Sequence, residues 1–241
     1  MLKRTLLFIS IFAVSASAQV ISNIQTTIDD ITSNSAKAIS KEAKIGMSGV
    51  IIHTFENEQS AIISKATVTS KKSSGEITIT LEPYIPIAQR SLPYGQKSAV
   101  VGDKLILGYG YHRAMIISNN SENFQKIKHL KNNEWVHPDL FASELSRTAQ
   151  GTPTKDSFNM FCQVHTIGLV YFQIDNTLHT VDCNNFNIID SENFSSNSQE
   201  NMKPFYNRIG EVHTSWLGWL NLGSSQITNY TNHYNSLLKI N

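Results

Sequence analysis

The stretch Thr152–Cys183, TPTKDSFNMFCQVHTIGLVYFQIDNTLHTVDC, decides how the chain is read. Phe158, Phe161, Cys162 and His165 fall at i, i+3, i+4 and i+7, one face of a helix. Thr152 as cap with Pro153 at the first helical position predicts the start of that helix, and Gly168 its end. Leu169 to Ile174 then reads as a strand, Asp175-Asn176 as a two-residue turn, and Thr177 to Val181 as the returning strand. In that register Ile174 faces Thr177, so Cys183 lies opposite Gly168, near the helix end that carries Cys162.

Outward from this unit the periodicity changes twice. Thr26 to Ser118 reads as short strands joined by turns, with Ile45 to Phe55, Ala61 to Val68 and Ile77 to Leu81 rich in Val, Ile and Thr. Glu76 to Glu82 alternates strictly, with Ile77, Ile79 and Leu81 on one face. Pro83, Pro86 and Pro93 exclude a central strand after it. Leu105 to Tyr109 and Ala114 to Ile117 complete the set, which suggests a small β-barrel or sandwich. Beyond Ser118, Ser121 predicts the cap of a helix carrying Phe124, Ile127 and Leu130, and His137-Pro138-Asp139 leads into a second, capped by Asp139. Ser191 to Gln199 reads as a loop. Ile227, Tyr230, Tyr234 and Leu237 mark a terminal amphipathic helix. The expected class is α+β, a barrel-like or sandwich-like N-terminal half (19–118) packed on an α/β C-terminal half (119–241).

The first 18 residues carry a different message. Lys3 and Arg4 precede an apolar run from Leu6 to Val14, and Ala16-Ser17-Ala18 fits a signal-peptide cleavage site. Removal of 1–18 takes away two basic residues and no acidic one, leaving 18 basic against the 19 acidic groups, a net of −1. No later stretch approaches the roughly 18 apolar residues of a transmembrane helix. The expectation is an exported protein, periplasmic or on the outer cell surface. In an oxidising compartment Cys162 and Cys183, the two cysteines of the chain, become a candidate disulfide. Closing that loop stabilises by about 3 kcal/mol on chain-entropy grounds.

Charge and motifs narrow the function classes. The 241 residues are 40% hydrophobic and 16% charged, with a net charge of +1, which excludes a uniformly basic nucleic-acid binder. The sequence has no phosphate loop, dinucleotide fingerprint, HExxH, nucleophile elbow or CxxC. Cys162 with His165 as its base is the thiol-enzyme alternative, though such a pair on an aromatic helix face is ordinarily core. His137 and Asp139 are close enough in sequence to share a metal ion, but no further ligands suggest themselves, so no metal is expected. Arg113, at a turn, is either an anion clamp or the partner of an acid. Trp216 to Leu220 is an aromatic cluster suited to a contact patch or to wedging the terminal helix. Lys126, Lys128 and Lys131 give one predicted helix a basic edge.

Several segments, taken together, carry a family resemblance. They are Gly46-Met47-Ser48-Gly49-Val50, Gln89 through Leu92-Pro93, Val101-Gly102-Asp103, Tyr111-His112-Arg113-Ala114 and Trp135 through Ala142. Pro153-Thr154, Phe158, Phe161-Cys162, Gly168 through Phe172 and Asp182-Cys183 complete them. In this order and spacing they resemble the N-terminal domain of the plasminogen-binding surface proteins of epsilonproteobacteria, from about Thr26 to the C-terminus. The resemblance implies an exported envelope protein that captures host plasminogen through lysine-recognising kringles, without enzyme activity or cofactor. Lys239, the pair Lys71 and Lys72, and the pair Lys126 and Lys128 are the ammoniums it points to here. Lys239 stands two residues short of the end, whereas members named for this activity carry a Lys-rich extension ending in lysine. The alternative is a periplasmic scaffold with other envelope proteins as partners.

Overall fold

The computed structural model describes residues 23–84, 97–197, 202–209 and 227–240. The expected signal peptide at 1–18, the Gln89–Pro93 motif and the Trp216–Leu220 cluster lie outside them. Six strands form a closed antiparallel barrel: Ile24–Ile31 (β1), Ser35–Ile39 (β2), Ser48–Thr54 (β3), Ser60–Lys71 (β4), Glu76–Pro83 (β5) and Lys104–Leu107 (β6). The order around it is β1-β2-β5-β4-β3-β6, closed by Ile24 to Thr27 of β1 running against Leu107 to Lys104 of β6. Register shifts at Ile28/Asp30, Ile51/Ile52 and Val68/Ser70 let long strands bend around so small a circumference.

The alternation read in Glu76–Glu82 is what fills the barrel. Ile77 and Ile79 are fully buried, and Ile28, Ile51, Leu105 and Leu107 join them. Ala36, Ala38 and Ala66 keep the interior from overfilling. Gly49 on β3 is required by its neighbour: a Cβ there would sit 2.3 Å from the Ile106 carbonyl of β6.

Among the described residues the second layer is a five-stranded sheet with order β11-β10-β9-β7-β8 and four helices. Its strands are Arg113–Ile117 (β7), Glu134–Val136 (β8), Leu169–Ile174 (β9), Thr177–Asp182 (β10) and Ile188–Asn193 (β11). The helices are Ser121–Leu130 (α1), Pro138–Arg147 (α2), Lys155–His165 (α3) and Tyr230–Leu238 (α4). β7 runs parallel to both β8 and β9, while β9, β10 and β11 form an antiparallel meander. Every residue of β9 is buried, and the period-two alternation sorts its side chains between two cores. Leu169 and Tyr171, with Ala114 and Ile116 of β7 and Phe124 of α1, join the cluster that continues into the barrel. Val170, Phe172 and Ile174, with Met115 and Ile117, face Phe141, Phe158 and Tyr234 from α2, α3 and α4.

One carboxylate joins the layers. Asp182, fully buried at the end of β10, accepts the Ser48 amide at 2.8 Å and the Tyr111 hydroxyl at 2.5 Å on one oxygen. Its other oxygen accepts the amides of Asn184 at 2.8 Å and Asn185 at 3.2 Å. Burial, reinforced by this neighbouring charge, pushes the Tyr111 phenol well above its ordinary pKa, so it stays a donor.

The hairpin register is as expected: Thr177 pairs with Ile174, and the Cys183 amide donates to the Gly168 carbonyl. Several boundaries differ. Thr154, not Thr152, caps α3, because Thr154 and Ser157 exchange side-chain-to-backbone bonds in a capping box. The helix closes on Thr166 in the left-handed region, at φ 52°. Gly168 serves another need, since a Cβ there would lie 2.5 Å from the Gly110 carbonyl. Asn120, not Ser121, caps α1, and the His137 ring, not Asp139, accepts the first free amide of α2. The loop expected from Ser191 begins inside a strand, as β11 pairs with β10 through Asn193. On α4 the buried stripe is Tyr230, Tyr234 and Leu238, with Leu237 at its margin.

Candidate functional site

The lysines singled out from the sequence divide by what their ammoniums already touch. Lys71 donates to the Lys41 carbonyl at 2.7 Å, and Lys72 pairs with Glu76 at 2.5 Å across the β4–β5 hairpin. Lys126 donates to the Ser195 carbonyl and sits 5.0 Å from the centroid of the Phe194 ring. Lys131 pairs with Glu192 at 2.6 Å. Lys128, in the last turn of α1, and Lys239, the left-handed cap of α4, are exposed and have no hydrogen-bond or ion-pair partner for the ammonium among the described residues. The five proposed contact lysines are therefore not equivalent.

The candidate chemical sites resolve into structural roles. Cys162 and Cys183 are joined by a disulfide with a Cα–Cα separation of 6.1 Å, both nearly inaccessible. The sulfur that a thiol mechanism would use is consumed in that bond, and the His165 ring packs on Phe161 at a centroid distance of 4.2 Å. His137 Nδ1 lies 3.1 Å from Asp139, whose carboxylate also takes the Arg208 amide at 2.8 Å and guanidinium at 2.7 Å. Burial lowers the His137 pKa, outweighing Asp139 beside it, and so keeps the ring neutral enough to act as a cap. Burial works against the Asp139 charge, but the two Arg208 bonds prevail and hold its pKa below the usual value. No group of three or more His, Cys, Asp and Glu is arranged to hold a metal among the described residues. Arg113 stands 3.6 Å from Glu134 and donates to the Thr166 hydroxyl at 3.3 Å, so it pairs with an acid at the edge of the sheet.

In open α/β sheets, ligands favour the crevice beyond the carboxyl ends of parallel strands. Here the ends of β7 and β9 meet a polar plug. The fully buried Asn123 donates to Asn119 at 2.8 Å and to the Asn197 carbonyl at 3.0 Å, and it accepts the Asn197 amide. Gln173 accepts the Asn119 amide and donates to Asp175. Tyr230 of α4 donates to the carbonyls of Ile117 and Gln173. Nothing in the linear sequence marks these amides as a group, because beside the local Asn123–Asn119 and Gln173–Asp175 bonds their partners lie 50 to 74 residues away.

An open concavity lies elsewhere, between the outer wall of β3–β5 and helix α3, with a volume of about 490 Å³. Lys65, Glu82, Lys155 and Asn159 line it, and the turn Asn184-Asn185 borders it. Sequence reasoning did not single these residues out. They come from three separate elements and carry no shared motif.

The family described as plasminogen-binding protein pgbA N-terminal matches residues 23–238. Two curated relatives, the plasminogen-binding protein PgbA of Helicobacter pylori strain J99 and that of strain 26695, are each 24% identical over 200 residues. The alignment covers 82% of this chain and 43% of theirs, so the chain spans less than half the length of the curated relatives it matches. No solved structure matches it.

Proposed function

The chain belongs to the plasminogen-binding protein PgbA N-terminal family, and from that premise we propose that it is an exported cell-envelope protein that binds host plasminogen through lysine side chains. The observation that carries the reading is the family match across 23–238, nearly everything after the expected signal peptide. Export is supported by Lys3 and Arg4, the apolar run to Val14 and the Ala16-Ser17-Ala18 site. The Cys162–Cys183 disulfide fits a compartment in which thiols oxidise.

The mechanism follows from which ammoniums are free. A kringle takes hold of a lysine by its charge, so a lysine already held by a carboxylate or carbonyl must first give up that partner. Among the described residues Lys128 and Lys239 have no such partner to give up. They are exposed on long flexible stems at helix ends and are the preferred contacts. Lys71, Lys72 and Lys126 rank below them.

The test is binding of the purified protein to immobilised plasminogen, with a free lysine analogue as competitor. Saturable binding that the analogue displaces is expected. Binding no greater than that of an unrelated exported protein would overturn the plasminogen reading.

A further inference from the structure

The cleft between the barrel wall and α3 has the composition of a ligand site that is not used by the fold. Its volume of about 490 Å³ falls within the range of small-molecule and peptide pockets. Alternation along β4 and β5 turns Ala66 and Ile79 into the barrel and Lys65 and Glu82 out of it, opposite each other in register. Lys155, the first residue of α3, reaches the cleft from the other side. Neither Lys65, Lys155 nor Glu82 takes part in an ion pair among the described residues, although Lys155 lies 5.7 Å from the Phe186 ring centroid.

Three asparagines line the same cleft, and the contrast among them is informative. Asn184 spends its amide on the Ser48 hydroxyl at 3.0 Å, and Asn185 on the Gly46 carbonyl at 2.8 Å. Among the described residues Asn159 has no partner for either amide atom, and its oxygen is buried. Nearly all buried polar atoms in folded proteins are satisfied, so an amide left without partners on the wall of a cleft marks a place where something else can complete its bonding. The surrounding walls are fixed in advance. Asp182 holds the amides of Asn184 and Asn185, the disulfide anchors α3 at Cys162, and Gly168 is pressed against Gly110.

We propose that this cleft binds a carboxylate carried beside a peptide group. The two unpaired ammoniums of Lys65 and Lys155 meet the carboxylate. The Asn159 side-chain NH2 donates to the C=O of the adjoining peptide bond, and Glu82 accepts an N–H from the same ligand. An acidic side chain within a peptide and a free peptide C-terminus share this chemistry. The inference does not rest on the plasminogen reading, which involves other lysines.

The experiment is a titration of the full exported chain, followed by NMR at the Asn159 side-chain amide. Three blocked peptides serve as probes: acetyl-Gly-Asp-Gly-amide, acetyl-Gly-Gly-Gly with a free carboxyl end, and neutral acetyl-Gly-Asn-Gly-amide. At least one carboxylate probe is expected to saturate the Asn159 signal, with an affinity about tenfold or more above the neutral peptide. Whichever of the two binds more tightly identifies the source of the carboxylate. The double variant Lys65→Gln/Lys155→Gln, the first half-buried on the outer barrel wall and the second exposed, should weaken that probe by about tenfold and leave the urea midpoint unmoved. The single variant Asn159→Ala should weaken it while retaining the preference for charge. Equal binding of the neutral peptide, no saturable change at Asn159, or a double variant within about twofold of the parent would overturn the proposal.

Discussion

In the barrel the large, fully buried side chains are aliphatic: Ile28, Ile51, Ile77, Ile79 and Leu105. Across the seam they are Phe141, Phe158, Phe172, Phe205 and Tyr234. The barrel leaves no open edge, because each strand pairs on both sides, and its small interior is filled by branched aliphatics and alanines. The sheet layer has two edges, β11 and β8, and encloses its core with helices. It adds a disulfide, a web of buried amides and an aromatic cluster in which Phe141 and Phe158 meet at a centroid distance of 4.5 Å. Closure through the backbone frees the barrel from special side chains, whereas an open sheet depends on them. The buried side-chain polar atoms without a hydrogen-bond partner among the described residues are Asn159 Oδ1, on a residue lining the cleft, and Arg113 Nε and Asn207 Oδ1, away from it.

The seam is the first place to break that comparison. Asp182→Ala removes the acceptor of the Ser48 amide and the Tyr111 hydroxyl, and an unpaired buried donor costs about 1–3 kcal/mol each. A loss of several kcal/mol in urea unfolding is expected, and one below about 1 kcal/mol would show that the seam does not depend on the carboxylate. Next in size is the staple. Replacing both Cys162 and Cys183 by alanine should cost about 3 kcal/mol and loosen amide exchange in β9 and β10 more than in β4 and β5. A uniform change across both regions would contradict the idea that the sheet layer alone depends on it.

The smallest effect is one of pH. Burial lowers the pKa of His137, His179 and His233, all in the sheet layer. The unfolded chain therefore takes up these protons first, at a pH near 6.5. Their contribution is fully present above that value and declines as the pH falls through it toward the folded-state values. Lowering the pH from 7 to 5.5 should reduce amide protection in β9 and β10 before β4 and β5. Equal loss in the two regions would refute the assignment.

How much of this was legible in the sequence follows the distance over which each feature is made. The hairpin from Leu169 to Cys183 could be read outright, since alternation, the Asp175-Asn176 turn and the register are local. Caps were less so. Thr152-Pro153 and Thr154 both suit a helix start, and only the reciprocal bonds of Thr154 with Ser157 decide between them. Gly168 resembled a helix terminator because close approach to Gly110, 58 positions earlier in the chain, leaves no local trace. β8, three residues long, is too short for any period to appear. The resemblance pointed to the lysines, yet their partners, such as Ser195 for Lys126, are set by tertiary contact. The cleft was invisible for the same reason, with Lys65, Glu82 and Asn159 brought together only by the packing of α3 on the barrel.

The central claim, that free ammoniums carry plasminogen binding, is tested most directly by comparing two lysine variants on immobilised plasminogen. Lys128→Gln/Lys239→Gln should reduce affinity by about tenfold or more, while Lys71→Gln/Lys72→Gln/Lys126→Gln stays within about twofold of the parent. The reverse order, or equal losses in both, would contradict the account.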